Sequence, residues 1–280
     1  MLEMQEKTQS KYRNLKQYFE QKGNAAIAFS GGVDSTFLLK VAFEVLGKKA
    51  LAVTVRSVLI PERELAQAIA FCKNNNIPQI IIDVDPFQIE GFSQNPINRC
   101  YICKKSIFSK IKEVSLENGF TTVCEGSNMD DTKDYRPGMK AIKELDIKSP
   151  LQECQLYKSE IRELSHSMDL PTWSKPSLAC LATRFVYGHT ITKEKLSLID
   201  SIEGLLLGFG LYQVRVRLLD EDSIRIEVLP EDFEKILKNR EEIISFAKDK
   251  NVNYVSLDLE GYRSGSMNNF TEIEKKDFYK

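Results

Sequence analysis

Short apolar runs alternate with segments of helical periodicity over the first half of the chain. Four runs are typical of buried strands, and they lie at 25–29, 51–55, 79–84 and 121–125. The segments between them have the apolar spacing of helices, and they lie at 34–46, 61–75 and 104–118. Strands that alternate with helices of this length predict an α/β fold with a parallel sheet covered on both faces.

The pattern changes at about residue 185. Residues 214–218 and 223–228 alternate apolar and polar positions, as half-buried strands do. Helical stretches near 193–207 and 231–250 and a last strand at 254–259 surround them. We therefore predict two domains, 1–184 with the parallel sheet and 185–280 as a smaller α+β domain.

The turn between the first predicted strand and helix reads Ser-Gly-Gly-Val-Asp-Ser at 30–35. Two glycines let backbone N–H groups approach a ligand closely, and the following helix N-terminus favours anions. A phosphate group is the simplest such ligand. Asp34 would repel it unless a cation lies between them, which predicts Mg²⁺. The spacing fits neither a Walker A loop nor a dinucleotide fingerprint.

Composition narrows the functional classes. The chain has 280 residues with 39 Lys and Arg against 40 Asp and Glu, so nucleic acid is a weaker expectation than for a basic protein. It has no apolar run of about 18 residues and no apolar signal core, so we expect no membrane span and a cytoplasmic location. Its six cysteines are then expected to be thiols or ligands rather than disulfides.

Cys100 and Cys103 form a CxxC pair, and Cys180 lies at the join of the two predicted domains. Two thiolates do not complete a zinc site, and no second CxxC exists. Three cysteines could hold a [4Fe-4S] cluster with one iron open, although full protein ligation takes four. A redox pair, or a chance proximity of two cysteines, remains an alternative. Cys72 and Cys124 are interpreted as packing residues.

The loop at 30–35 resembles the SGGxDS loop of the PP-loop ATP pyrophosphatases, and other segments resemble one subfamily more closely. These segments are 125–131, 134–138, 158–164, 175–192, 214–217 and 261–265. Together they are similar to the LarE-type ATP-dependent sulfurtransferases of nickel-pincer cofactor biosynthesis, in the subtype with three cysteines. The resemblance covers about residues 10 to 270.

This resemblance implies an adenine nucleotide alpha-hydrolase-like (PP-loop) fold and an enzyme that uses ATP and Mg²⁺. Its expected substrate is pyridinium-3,5-biscarboxylic acid mononucleotide, whose carboxylates are adenylylated with loss of pyrophosphate and converted to thiocarboxylates. Some members give up the sulfur of a cysteine that matches Cys180. Members with the additional CxxC are thought to carry a [4Fe-4S] cluster whose open iron takes a sulfide. Homo-oligomers are also expected, whereas the sulfide donor is not indicated.

The resemblance and the local chemistry together assign roles to individual residues. Cys180, Asp34 and Lys158 form the predicted catalytic set, with Asp34 also a Mg²⁺ ligand. The predicted nucleotide-binding residues are Ser30, Gly31, Gly32, Ser35, Ser57, Gly126, Asn128 and Asp131. A loop-capping carboxylate is an equal alternative for Asp131, as is a solvated helix-start charge for Lys158. The predicted cluster ligands are Cys100, Cys103 and Cys180.

Arg215 and Arg217 share one strand face because strand side chains repeat every two residues. A solvated face is the ordinary interpretation. The implied substrate is anionic, however, and guanidinium groups match phosphate and carboxylate bidentately. The predicted substrate-binding residues are Arg184, Arg215, Arg217, Glu227 and Arg263, in which Glu227 pairs with an arginine.

Four alternatives remain open on the sequence. A tRNA thiolase can combine a PP-loop with a CxxC and a distant third cysteine, but it usually has a more basic surface. An amide-forming ligase such as an NAD synthase would have no use for three clustered cysteines. A sacrificial donor would act once through Cys180. A module that binds ATP or a cluster without turnover is the non-enzymatic alternative.

Overall fold

Four parallel strands in the order β3-β2-β1-β4 form the first sheet. The structure is a computed structural model that describes residues 2–132 and 137–267. Asp134, Tyr135 and Arg136 of the sequence motif therefore lie outside the described residues. The strands are β1 (Ala25–Ala28), β2 (Ala50–Arg56), β3 (Gln79–Asp83) and β4 (Val123–Cys124). β1 lies inside the sheet and pairs in parallel with both β2 and β4.

Helices cover both faces of this sheet. They are α1 (Leu2–Lys22), α2 (Val33–Leu46), α3 (Glu62–Asn74), α4 (Arg99–Glu117), α5 (Gly138–Glu144), α6 (Pro150–Glu153) and α7 (Lys158–Ser167). Successive β1 residues point to opposite faces, as a strand requires. Ala25 and Ile27 join the apolar cluster that contains α1, α2, α3 and α7, whereas Ala26 joins the cluster on the α4 and α5 side. The predicted α/β class with a doubly covered parallel sheet is confirmed.

A separate three-stranded sheet has the order β5-β6-β7, with β5 (Val214–Asp220), β6 (Ser223–Val228) and β7 (Tyr254–Leu257). β5 and β6 are antiparallel, whereas β6 and β7 are parallel. The accompanying helices are α8 (Lys193–Gly208), α9 (Phe233–Lys238) and α10 (Arg240–Lys248). The predicted single helix over 231–250 is thus two helices that meet at Asn239. This small mixed sheet with helices is the second predicted fold element.

The chain divides into two compact units, and the division differs from the predicted bounds. The first unit is Met1–Asp85 with Cys100–Ser177, and the second is Pro86–Arg99 with the chain from Leu178 onward. Asn95 explains why 86–99 belongs to the second unit: its side-chain amide donates to the Val186 carbonyl at 2.7 Å, and its own carbonyl accepts from Gly188 N–H at 2.9 Å. Among the described residues, no helix has the length and apolarity that crossing a membrane requires.

Candidate active site

The Ser-Gly-Gly-Val-Asp-Ser turn follows the carboxyl end of β1 and leads directly into α2. Gly31 has φ +72°, a conformation that favours glycine. The Ser30 and Ser35 hydroxyls lie 3.0 Å apart, and Ser35 Oγ donates to the Gly32 carbonyl at 3.3 Å. Gly32 N–H donates to Ser30 Oγ at 3.4 Å. The turn is therefore a compact cradle lined with hydroxyl and backbone N–H donors at the positive end of a helix.

Asp34, in the first turn of α2, is held between two polar side chains. Lys158 Nζ lies 2.5 Å from Asp34 Oδ2, and Asn128 Nδ2 donates to Asp34 Oδ1 at 3.3 Å. Lys158 is the first residue of α7, and Asn128 follows β4. The structure thus brings together three of the predicted site residues from separate parts of the chain. A carboxylate in this position fits a Mg²⁺ ligand, since hard cations prefer oxygen donors.

Asp130 and Asp131, in the loop after β4, each accept a hydrogen bond from a backbone N–H group. Asp131 Oδ2 accepts from the Asn128 backbone N–H at 2.8 Å, and Asp130 Oδ2 accepts from the Lys158 N–H at 2.8 Å. Asp130 was not predicted as a site residue. It joins the loop after β4 to the N-terminus of α7, where a carboxylate is favourable. Asp131 shows the loop-capping geometry that the sequence left as an alternative.

Gly126 packs so closely against the start of α2 that any side chain there would force the two segments apart. A Cβ on Gly126 would lie 3.0 Å from Ser35 N and 3.3 Å from the Asp34 carbonyl carbon. Ser57, which is also a predicted nucleotide-binding residue, follows β2 in a turn in which its carbonyl accepts from Ile60 N–H at 3.0 Å. Both residues therefore lie at the carboxyl ends of strands in the same sheet as β1, where parallel sheets bind ligands.

Lys175 is a residue of this site that sequence reasoning did not identify. Its Nζ donates to the Gly31 carbonyl at 3.2 Å and to Gln67 Oε1 at 2.8 Å, and it lies 2.5 Å from Glu64 Oε2. The Lys-Pro dipeptide at 175–176 was visible in the sequence. Lys175 contacts the backbone carbonyl of Gly31, which is distant in the sequence, so no local sequence pattern indicates the contact.

The six cysteines fall into two groups. Burial raises the pKa of Cys72 and of Cys124 to about 12 and that of Cys154 to about 11, which disfavours their thiolates. Of the predicted ligands, Cys180 is exposed, and Cys100 and Cys103 are half-buried near the start of α4. Because cysteine thiolates are the usual ligands of iron–sulfur clusters, these three residues are of the right chemical type to hold one. Among the described residues, no three His, Cys, Asp or Glu side chains are gathered as a metal site.

In the second unit, Arg184 and Arg217 are buried in ion pairs. Arg184 binds Glu203 bidentately at 2.8 and 3.0 Å, and it also donates to the Cys180 carbonyl at 3.3 Å. Arg217 binds Glu227 Oε2 through two nitrogens at 3.0 and 2.8 Å. Glu227 is fully buried and also binds Arg225 at 3.0 Å. A substrate anion could take these guanidinium donors only by displacing a carboxylate, a backbone carbonyl or a hydroxyl that already binds them.

Arg215 and Arg263 have different surroundings from Arg184 and Arg217. Arg215 is buried with its guanidinium 5.2 Å from the centre of the Tyr262 ring, and this burial, assisted by the charge of Arg184, lowers its pKa to about 10. The Arg263 side chain is 47% exposed and lies 2.8 Å from Glu260. Of the four predicted arginines, Arg263 is the accessible one.

Comparison with known proteins gives three findings. A family model described as NAD synthase matches residues 8–99. The chain is 40% identical over 262 residues to an uncharacterized protein of Synechocystis sp., covering 93% of this chain and 97% of that protein. It is 32% identical over 243 residues to pyridinium-3,5-bisthiocarboxylic acid mononucleotide synthase of Lactiplantibacillus plantarum, covering 86% of this chain and 88% of that synthase.

Proposed function

Since the chain belongs to the LarE-type family of ATP-dependent sulfurtransferases, together with pyridinium-3,5-bisthiocarboxylic acid mononucleotide synthase, we propose that it converts carboxylates of pyridinium-3,5-biscarboxylic acid mononucleotide to thiocarboxylates. It is an enzyme that uses ATP. The observation that carries the proposal is the cradle at 30–35, with Asp34 bound by Lys158 and Asn128, in a chain this similar to the synthase.

The first step activates a carboxylate. A carboxylate oxygen of the substrate attacks the α-phosphorus of ATP, and the bond to the β-phosphate oxygen breaks, so that an acyl-adenylate forms and pyrophosphate leaves. The hydroxyl and N–H donors of the cradle bind the departing pyrophosphate, as the anion-binding end of a helix favours. Asp34 would hold Mg²⁺, and Lys158 would then move from Asp34 to a phosphate oxygen. Positioning and charge stabilisation provide most of the catalysis.

The second step transfers sulfur. A sulfur nucleophile attacks the acyl-adenylate carbonyl, and AMP leaves with the bonding electron pair. No histidine base is needed, because both nucleophiles are already anionic. Cys180 is the residue that we propose for delivery of the sulfur. Its backbone carbonyl accepts hydrogen bonds from the Thr183 hydroxyl and the Arg184 guanidinium, which fix the turn.

We propose that Cys100, Cys103 and Cys180 hold a [4Fe-4S] cluster. The support is the sequence pattern, together with the exposure of Cys180 and the raised pKa of Cys72, Cys124 and Cys154, which disfavours those three thiols as ligands. Such a cluster, if held by these three cysteines, would supply an iron with a position open to sulfide. These three cysteines would supply the thiolate ligands of the cluster. The alternative is sacrificial donation of the Cys180 sulfur in a single turnover.

For the substrate's phosphate and carboxylates we propose the second unit, which contains Arg184 beside buried Glu203, Arg217 beside buried Glu227, and Arg263 beside Glu260. Arg263 is the proposed direct contact because it is accessible. Arg184, Arg215 and Arg217 would reach the substrate only if it displaces partners that they already hold, and Glu227 fixes the direction of Arg217. We also propose that the protein forms a homo-oligomer, and the support for this is the sequence resemblance alone.

Pyrophosphate release tests the activation step. The purified chain, with ATP and Mg²⁺, is expected to release pyrophosphate only when the dicarboxylated pyridinium mononucleotide is added, and Asp34→Asn is expected to abolish the release. Mass spectrometry should then find the thiocarboxylate when sulfide is supplied. No release with this substrate, together with release on adding tRNA, would favour the tRNA thiolase alternative.

Iron and sulfide analysis after anaerobic purification tests the cluster. Cys100→Ala, Cys103→Ala and Cys180→Ala are each expected to lose most of the iron. Cys154→Ala is the matched control and should retain it, since its thiol is half-buried with a raised pKa. Iron-free wild-type protein with single-turnover activity that needs Cys180 but not Cys100 would instead support sacrificial donation.

A further inference from the structure

Lys175 reaches the cradle from the segment that follows α7. Its ammonium contacts the Gly31 carbonyl at 3.2 Å, and Glu64 and Gln67 of α3 hold it in place at 2.5 and 2.8 Å. The Lys175 and Glu64 side chains are only 12% and 10% exposed. The lysine is therefore fixed between a helix and one carbonyl of the loop.

That contact determines which way the Gly31–Gly32 peptide faces. In a planar trans peptide the carbonyl and the following N–H point in opposite directions. A donor that holds the Gly31 carbonyl on one side therefore holds the Gly32 N–H on the other, where it donates to Ser30 Oγ at 3.4 Å. Glycines on both sides of this peptide lower the barrier to its rotation. A rotated peptide would present a carbonyl oxygen, which repels phosphate.

We infer that Lys175 is a positioning residue that keeps the Gly31–Gly32 peptide in the phosphate-binding orientation. The inference rests on the proposed function, because it requires the cradle to bind the phosphates of ATP. Glu64 neutralises the ammonium, so Lys175 acts through the carbonyl that it holds rather than by adding net positive charge to the site.

The backbone of Lys175 is itself anchored to α7. The Arg162 guanidinium donates to the Trp173 carbonyl at 2.5 Å and to the Lys175 carbonyl at 2.7 Å. Arg162 lies one turn after Lys158, which binds Asp34. One helix thus holds the cradle at two points, at Asp34 directly and at Gly31 through Lys175.

Isothermal titration of the full chain with Mg-pyrophosphate and, separately, with AMP tests this role. Lys175→Met is expected to weaken pyrophosphate binding by about tenfold or more, because a hydrogen bond from a charged donor is lost. AMP binding should change less than about twofold, since AMP does not need the pyrophosphate cradle. Lys175→Arg keeps a charged donor and should bind pyrophosphate within about threefold of wild type.

Lys112→Met is the matched control. Lys112 also donates from Nζ to a backbone carbonyl, that of Leu145 at 2.7 Å, but on α4. Its variant should bind both ligands as wild type does. Failure of the wild-type protein to bind Mg-pyrophosphate and ATP would refute the proposed function itself.

Three outcomes refute the inference while the proposed function stands. They are unchanged pyrophosphate affinity in Lys175→Met, equal losses for pyrophosphate and AMP, and a tenfold loss in Lys175→Arg. If Lys175→Met does not fold, as judged by circular dichroism, the arginine variant carries the test alone.

Discussion

Replacing Gly126 by alanine tests the packing of the loop after β4 against the start of α2. The added Cβ would lie 3.0 Å from Ser35 N and 3.3 Å from both Ser35 Cα and the Asp34 carbonyl carbon. Non-bonded carbon atoms are at their optimum at about 3.5–4.0 Å, so the two segments must separate by several tenths of an ångström. All three neighbouring atoms belong to the backbone and cannot rotate away.

The expected cost is that of overpacking, about 1–3 kcal/mol in the free energy of unfolding. For a unit of this size, each kcal/mol lowers the melting temperature by about 2–4 °C. The same separation moves Asp34 away from Asn128, whose hydrogen bond is already 3.3 Å long. The KM for ATP should therefore rise together with the loss of stability.

Urea unfolding followed by circular dichroism and pyrophosphate-release kinetics measure the two effects. Gly204→Ala is the matched control, because a Cβ there meets no atom within 4 Å and Gly204 lies inside α8. Alanine in a helix interior is more favourable than glycine by about 0.5–1 kcal/mol, so this variant should gain stability. A Gly126→Ala protein with wild-type stability and KM would refute the packing argument.

Four further predictions concern other parts of the molecule. Lys158→Met removes the cation that binds Asp34, and kcat/KM for pyrophosphate release should fall about tenfold or more; a wild-type value would exclude a catalytic role for Lys158. Glu227→Gln leaves buried arginine charge unbalanced, so urea unfolding should show a loss of about 3–5 kcal/mol, and a loss below about 1 kcal/mol would contradict the ion-pair argument. Iodoacetamide at pH 8 should label Cys180 of the iron-free protein much faster than Cys124, as peptide mass spectrometry can measure. Because burial raises the folded-state pKa of Cys124 from 9.0 to about 12, the folded protein retains a proton that the unfolded chain loses above pH 9. This thiol therefore lowers stability by about 1.4 kcal/mol per pH unit as pH rises from 9 towards 12, and Cys124→Ala should flatten that dependence.

The sequence predicted the first sheet well because its strands are short apolar runs between amphipathic helices. The helix that contains the CxxC pair begins at Arg99 rather than near residue 104. The membership of 86–99 in the second unit was not predictable, since two hydrogen bonds hold it there: the Asn95 side-chain amide donates to the Val186 carbonyl, and the Asn95 backbone carbonyl accepts from Gly188 N–H. Hydrogen bonds of this kind leave no hydrophobic pattern in the sequence.

The site was predictable in its residue types but less so in its contacts. The motif identified Asp34, Asn128 and Lys158, and the structure brings all three together. The sequence did not predict Lys175 as a site residue, because its acceptors lie on α3 and in the loop at 30–35. The arginines suggested an anion, but spacing along the chain does not reveal that Arg184 pairs with Glu203.

The contact between Lys158 and Asp34 makes metal binding an exchange of one cation for another. A Mg²⁺ ion that takes Asp34 must displace an ammonium group, and that group then needs a new anionic partner. ATP offers such a partner in its phosphate oxygens. Each ligand should therefore strengthen the binding of the other, and by the same factor, since coupling between two equilibria is reciprocal. The site would bind the metal–nucleotide complex more tightly than the two separate affinities suggest.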